Sequence, residues 1–188
     1  MKNKETAVFG GGCFWCIEAI YQQVKGVEKI EPGYAGGHVD NPSYKMVCTG
    51  TTGHAEVVRV TYNPKTVTYS DLLEIFWHAH DPTTLNRQGN DIGTQYRSII
   101  LYQNEEQKEI AESSLQSANA SNRFKKTIVT EIKALNGFFP AEDYHSDYFA
   151  NNPNQPYCRA VVAPKVQHFL EDYYEDQKKK FNSNSFIS

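Results

Sequence analysis

The sequence predicts an α+β protein: a two-layer sandwich in which a mixed β-sheet packs against helices and long functional loops build the site. Three observations lead to this reading. Short β-rich runs interchange with amphipathic helical patterns along the chain. The stretches 31–54 and 81–97 read as loops, and loops that long inside a compact domain are usually functional. No internal repeat, low-complexity segment or linker-like shift of composition precedes the C-terminus. A length of 188 residues suits one domain. A single domain over 1–181 is expected, with a frayed tail of small and polar residues over 182–188.

The elements follow in order. Thr6-Ala7-Val8-Phe9 reads as a short buried strand, broken by Gly10-Gly11-Gly12. A helix is expected next, with Ile17, Ile20, Tyr21 and Val24 at i, i+3, i+4 and i+7. Residues 55–62 are β-rich and end at the turn signal Asn63-Pro64. Ser70-Asp71 can cap a helix through Trp77, with Leu72, Leu73, Phe76 and Trp77 as its apolar side. Ser98 to Tyr102 is a buried-strand candidate, Glu105 to Leu115 a polar surface helix, and Thr127 to Ala134 a further strand. A short helix is expected over Tyr144 to Ala150, and an amphipathic one from Val166 to Lys180.

Composition removes several classes. Nineteen Lys+Arg against twenty-two Asp+Glu give a net charge of −3, which argues against a dedicated nucleic-acid binder. No segment approaches the ~20 apolar residues of a membrane helix. The start Met1-Lys2-Asn3-Lys4-Glu5 lacks the apolar core of a signal peptide. Four cysteines are too few for a secreted disulfide scaffold. A cytoplasmic, soluble protein without membrane attachment is expected. The twelve Tyr are a weak hint of a polar-lined pocket, because that ring buries while its hydroxyl finds a partner.

The sharpest local signal is Gly11-Gly12-Cys13-Phe14-Trp15-Cys16-Ile17-Glu18, at a strand–glycine turn–helix junction. Cys13 falls at the start of the helix, where free N–H groups and the macrodipole favour an anion. That placement is expected to lower its thiol pKa and make it a nucleophile. Cys13-x-x-Cys16 also suits a thioredoxin-type redox pair or half a zinc site. The zinc reading lacks two further ligands at matching spacing: Cys48 and Cys158 are isolated, and the side chains of His78 and His80 diverge at i, i+2. No metal is expected.

In the strand 55–62, Glu56 shares a face with Val58, Val60 and Tyr62, opposite Ala55, Val57, Arg59 and Thr61. Buried on the apolar face, its carboxyl would stay protonated near neutrality, as a general acid requires. Pointing into water it would be an ordinary carboxylate. Asn41-Pro42-Ser43-Tyr44 can present the Tyr44 hydroxyl from a turn. Gln88 to Arg97 brings Asp91 and Tyr96 into a glycine-rich loop, where turn chemistry is the plainer reading. His54 reads as a satisfied structural histidine.

Together these segments resemble the A-type peptide methionine sulfoxide reductases through nearly the whole chain. The matching pieces are Gly12-Cys13-Phe14-Trp15, Gly33-Tyr34-Ala35-Gly36-Gly37, Asn41-Pro42-Ser43-Tyr44, Thr52-Gly53-His54-Ala55-Glu56, Gly93-Thr94-Gln95-Tyr96-Arg97-Ser98 and Pro156-Tyr157-Cys158. The resemblance implies Cys13 as nucleophile on the sulfoxide sulfur and Glu56 as general acid on its oxygen. It implies Tyr44 and Tyr96 as hydrogen-bond partners of that oxygen, Asp91 in the polar part of the pocket, and Phe14 and Trp15 as the wall for the S-methyl group. The family is selective for the S epimer. Cys13 would be left as a sulfenic acid that condenses with a second thiol. Cys158, read as part of a mobile Pro/Asn-rich C-terminal loop (Asn151 to Tyr157), matches the family's usual resolving position, whereas Cys16 stands where many members carry Gly. Cys158 is favoured as resolver or final relay, and Cys16 is kept as direct resolver or first relay. No cysteine follows Cys158, unlike the family's longer C-terminal pairs, and Cys48 reads as structural. The family implies thioredoxin as reductant, free or protein-bound methionine sulfoxide as substrate, and no cofactor. A monomer is expected.

Overall fold

The computed structural model describes residues 3–184, with side chains through 179. Its centre is a six-stranded sheet. In chain order the elements are β1 (Glu5–Gly10), α1 (Phe14–Tyr21), β2 (Val27–Ala35), α2 (Tyr44–Cys48), β3 (Ala55–Tyr62), α3 (Tyr69–Ala79), β4 (Arg87–Gln88), β5 (Asp91–Ile92), β6 (Ile99–Tyr102), α4 (Glu105–Ala120), β7 (Glu131–Ala134), β8 (Phe138–Pro140), α5 (Tyr148–Asn151) and α6 (Ala163–Asn184). The sheet order is β7-β6-β1-β3-β2-β8, antiparallel except for the parallel β6–β7 pair, so the sheet is mixed. β4 and β5 form a separate two-residue hairpin.

The alternation of β3 sorts the two faces. Val58 and Val60 join Ala7, Phe9 and Ile100 in the main core, where α1, α3, α4 and α6 contribute Ile17, Leu73, Phe76, Ala111 and Phe169. On the other face Val8, Ala35, Ala55, Val57, Ile99 and Leu101 form a thinner layer, covered by Leu135 and Phe138. The two-layer α+β expectation therefore holds, with the helices on one face. Fully buried rings such as Phe9, Tyr21 and Phe76 each stabilise this face by roughly 1.5–3 kcal/mol through burial. Among the described residues no helix is long and apolar enough to cross a membrane.

Several boundaries differ from the expected ones. The stretch read as a loop from 31 contains most of β2, disguised by Pro32 and Gly33, and the helix α2. Pro32 is tolerated because β8 pairs only with Gly33, Tyr34 and Ala35. Thr68, rather than Ser70-Asp71, caps α3: its side chain accepts from the Asp71 amide while the Asp71 carboxylate accepts from the Thr68 amide. Pairing with β6 begins only at Glu131, so the expected strand from Thr127 is shorter. The expected helix 144–150 is split into a 3₁₀ turn (Asp143–His145) and α5. α6 runs to Asn184, so the tail expected to fray from 182 begins in helix, and residues 185–188 lie outside the described residues.

Candidate active site

The site is built on the turn between β1 and α1. Gly12 has φ +91, and a Cβ there would stand 2.7 Å from Gln88 Cγ, so only glycine fits this path. Its N–H donates to the Tyr96 carbonyl at 3.2 Å, which ties the turn to the 3₁₀ turn Thr94–Tyr96. Cys13 is the N-cap of α1, one position before the helix. One free N–H group at that helix start finds a side-chain partner: Phe14 N–H donates to Glu56 Oε2 at 3.1 Å.

Glu56 lies buried on the helix-covered face of β3, opposite Tyr34 of β2. Burial pushes its carboxyl up to about 8 against the opposing Phe14 hydrogen bond, and the charges of Asp91 and Cys16 add to the rise. At neutral pH it is therefore a carboxylic acid. The water-facing alternative is excluded.

The thiols depart from the expectation. Burial pushes Cys13 well up, and its hydrogen bond with Cys16 and the negative field of Glu56 reinforce this. The helix-start effect of about 1 kcal/mol is outweighed by the loss of water around a buried thiolate. Cys16 moves the other way: the bond from Cys13 lowers it, burial opposes, and the charge of Lys165 helps. The two thiols therefore titrate as one coupled pair.

Tyr44 opens α2 behind the Ser43 cap. Its amide donates to Glu142 Oε2 at 3.1 Å, while the Tyr34 hydroxyl donates to Glu142 Oε1 at 3.1 Å. Burial holds the Tyr44 and Tyr96 phenols above their ordinary range, and the field of Glu56 adds to the rise, so both remain O–H donors. Asp91, on β5, accepts from the Tyr157 hydroxyl at 2.6 Å. Cys48 is exposed and hydrogen-bonded to the Tyr44 side chain, so it rims the site and is not part of the core. His54 is structural as expected: Nδ1 accepts from Gly37 N–H and Nε2 donates to the Val39 carbonyl.

Phe14 is buried against Tyr34 and His145. The Trp15 indole stacks on Tyr148 at 3.8 Å between ring centroids and meets Tyr157 edge-on at 5.8 Å. Its Nε1–H donates to His145 Nδ1 at 3.0 Å. His145 therefore carries its proton on Nε2, which is buried without a partner among the described residues. Burial lowers its pKa, so it stays neutral.

Cys158 is not on a loop. The Pro/Asn-rich segment ends at Tyr157, and Cys158 begins a π-helical turn (Cys158–Val162) leading into α6, where it is fully buried. Burial raises its thiol, and the charge of Cys16 adds to the rise. All four cysteines are free. The sequence-derived candidates thus converge in one place, but the reading missed Glu142, His145, Tyr148 and Tyr157. The signal for Tyr157 was its place beside Cys158; the other three have only local turn chemistry. Among the described residues the one group with metal-ligand reach is Glu74, His78 and Asp176, between α3 and α6. Its histidine is already bonded to Asp176, which Arg123 also contacts.

Comparison with known proteins shows the family and the fold. The family model for peptide methionine sulfoxide reductase matches residues 5–178. A protein of Saccharolobus solfataricus named peptide methionine sulfoxide reductase MsrA is 56% identical over 167 residues, 89% of this chain and 93% of its own. Among solved structures, Mxr1 from Saccharomyces cerevisiae in reduced form superposes with a TM-score of 0.78 at 34% identity, over 82% of this chain and 89% of that one. Mxr1 in complex with Trx2 gives a TM-score of 0.55 at 22% identity, over 77% of this chain and 84% of that one, a likeness of fold.

Proposed function

The chain belongs to the peptide methionine sulfoxide reductase family, and on that premise we propose that it reduces methionine-S-sulfoxide, free or in proteins, through a cysteine sulfenic acid and an intramolecular disulfide. The observation that carries the mechanism is the buried Glu56 carboxyl bonded to the Phe14 amide beside Cys13, an environment that favours the protonated acid.

The sulfoxide oxygen faces Glu56 and the Tyr44 and Tyr96 hydroxyls, and its S-methyl group lies against Phe14 and Trp15. Asp91 takes the polar flank of the pocket. As Cys13 attacks sulfur, its proton passes along the existing bond to Cys16, and Glu56 protonates the oxygen. Methionine leaves, and Cys13 carries the oxygen as a sulfenic acid. Cys16, already in contact, then attacks the Cys13 sulfur and releases water, forming the first disulfide. Cys158 exchanges with it to give Cys16–Cys158 and free Cys13. This relay keeps both resolving candidates and orders them: Cys16 first because no movement is needed, Cys158 second because it is buried in a turn that must open. A dithiol protein of the thioredoxin kind reduces the final disulfide, in keeping with the structure of Mxr1 bound to Trx2.

The reading is tested by chirally resolved substrate. Reduction of the S epimer with the R epimer untouched is expected; turnover of the R epimer alone would overturn it.

A further inference from the structure

A cleft of about 660 Å³ opens beside the cysteine turn, between the end of α3, the loop 81–88, the segment 123–126 and the first turns of α6. Its floor is shared with the site. His80 and Gln88 line it, and the same side chains press against Gly11 and Gly12, where added Cβ atoms would stand 2.9 and 2.7 Å from them. Its rim is cationic. Lys125, Lys126 and Lys165 all line the cleft, and among the described residues none of them has a hydrogen bond or ion pair. Against them stand Asp81, whose carboxylate serves the Thr83 amide and hydroxyl, and Asp172, which holds Arg123.

Three unpaired ammonium groups around one concavity run against a chain whose net charge is −3. Like charges focused in a cleft repel each other and attract anions, so the arrangement gains only when an acidic partner arrives. Lys165 is half-buried, and its field reaches His80, which lines the floor, and Cys16, which is buried outside the cleft lining. It follows Cys158 by seven residues along helical backbone, an axial separation of about 10 Å. A protein that covers the rim therefore also covers the turn carrying Cys158.

We propose that this cleft is the docking site for the dithiol reductant, and that it receives carboxylates carried beside that protein's thiols. The proposal rests on the reductase reading above. In the docked complex a reductant thiolate attacks the Cys16–Cys158 disulfide, forms a mixed disulfide and releases the other cysteine as a thiol. The reductant's second thiol then attacks its own bridged sulfur. The chain regains both thiols, and the partner leaves as a disulfide with two electrons and two protons transferred.

The test compares reduced thioredoxin of net negative charge with dithiothreitol as reductants of the wild type and of Lys125→Glu/Lys126→Glu. The wild-type kcat/KM for thioredoxin should fall as salt is raised, while turnover with dithiothreitol stays level. The double variant should lose at least about ten-fold in kcat/KM for thioredoxin and keep its turnover with dithiothreitol. Thioredoxin-driven turnover that is indifferent to salt, and equal in variant and wild type, would overturn the docking site alone. The salt profile of the wild type decides this even if the variant folds poorly. No thioredoxin-driven turnover beside normal dithiothreitol turnover would overturn the thioredoxin reading itself.

Discussion

The Phe14 amide donates to Glu56 Oε2 at 3.1 Å, joining the first residue of α1 to the middle of the sheet. Taken alone, a helix-start amide should hold a carboxylate ionised, an effect of about 0.3–1 kcal/mol and at most roughly 2. Burial of a carboxylate costs several kcal/mol. Burial wins, and the group titrates at about 8. The amide fixes where the acid points, and the apolar face of β3 fixes its protonation.

Glu56→Gln should therefore lose about 10²-fold or more of the turnover, while Cys13 stays reactive to alkylating agents. Intact turnover would move the proton donor to Tyr44 or Tyr96. In the wild type kcat/KM should fall as pH rises through about 8, where Glu56 loses its proton.

The same group makes stability depend on pH. Its folded pKa lies above its ordinary value, so between 4.5 and about 8 the folded chain holds a proton that the unfolded chain has released. Stability falls as pH rises through that window and levels off above it. Thermal melting of Glu56→Gln should show a shallower decline over this range than the wild type. Parallel curves would mean that Glu56 is ionised in the fold.

His145 positions the Trp15 indole through one hydrogen bond and leaves Nε2 buried and unpaired among the described residues. His145→Phe removes the orphan but leaves the Trp15 indole N–H without its acceptor, so the two effects oppose and the melting temperature should change little. KM should increase several-fold with a smaller change in kcat, because the methyl wall is misplaced. An unchanged KM would show that packing against Tyr148 suffices.

Titration of thiolate absorbance should show one thiol ionising below the ordinary cysteine range, with burial keeping the others above it. That low step should vanish in Cys16→Ser and survive, shifted upward, in Cys13→Ser. Its survival in Cys16→Ser would place the thiolate on Cys13.

Period-2 and period-3.6 patterns were enough to find β3 to the residue and the central parts of α1, α3, α4 and α6, because burial of one face imposes those periods. They failed at β2, where Pro32 and Gly33 masked a strand whose partners lie far along the chain. The convergence of Cys13, Glu56, Tyr44, Tyr96 and Asp91 was legible through family resemblance, not through spacing. The protonation of the cysteines was not legible. It depends on burial and on Lys165, which stands beside Cys16 only after α6 has packed. The clamp of Glu142 on Tyr34 and Tyr44 spans about a hundred residues, beyond any local pattern.

The most direct test of the three-cysteine relay is single-turnover release of methionine by pre-reduced protein from excess L-methionine-S-sulfoxide, with no reductant added. About two methionines per chain are expected from the wild type, about one from Cys158→Ser, and none from Cys13→Ser. Methionine released by Cys13→Ser, or none released by the wild type, would contradict the assignment of Cys13 as the nucleophile.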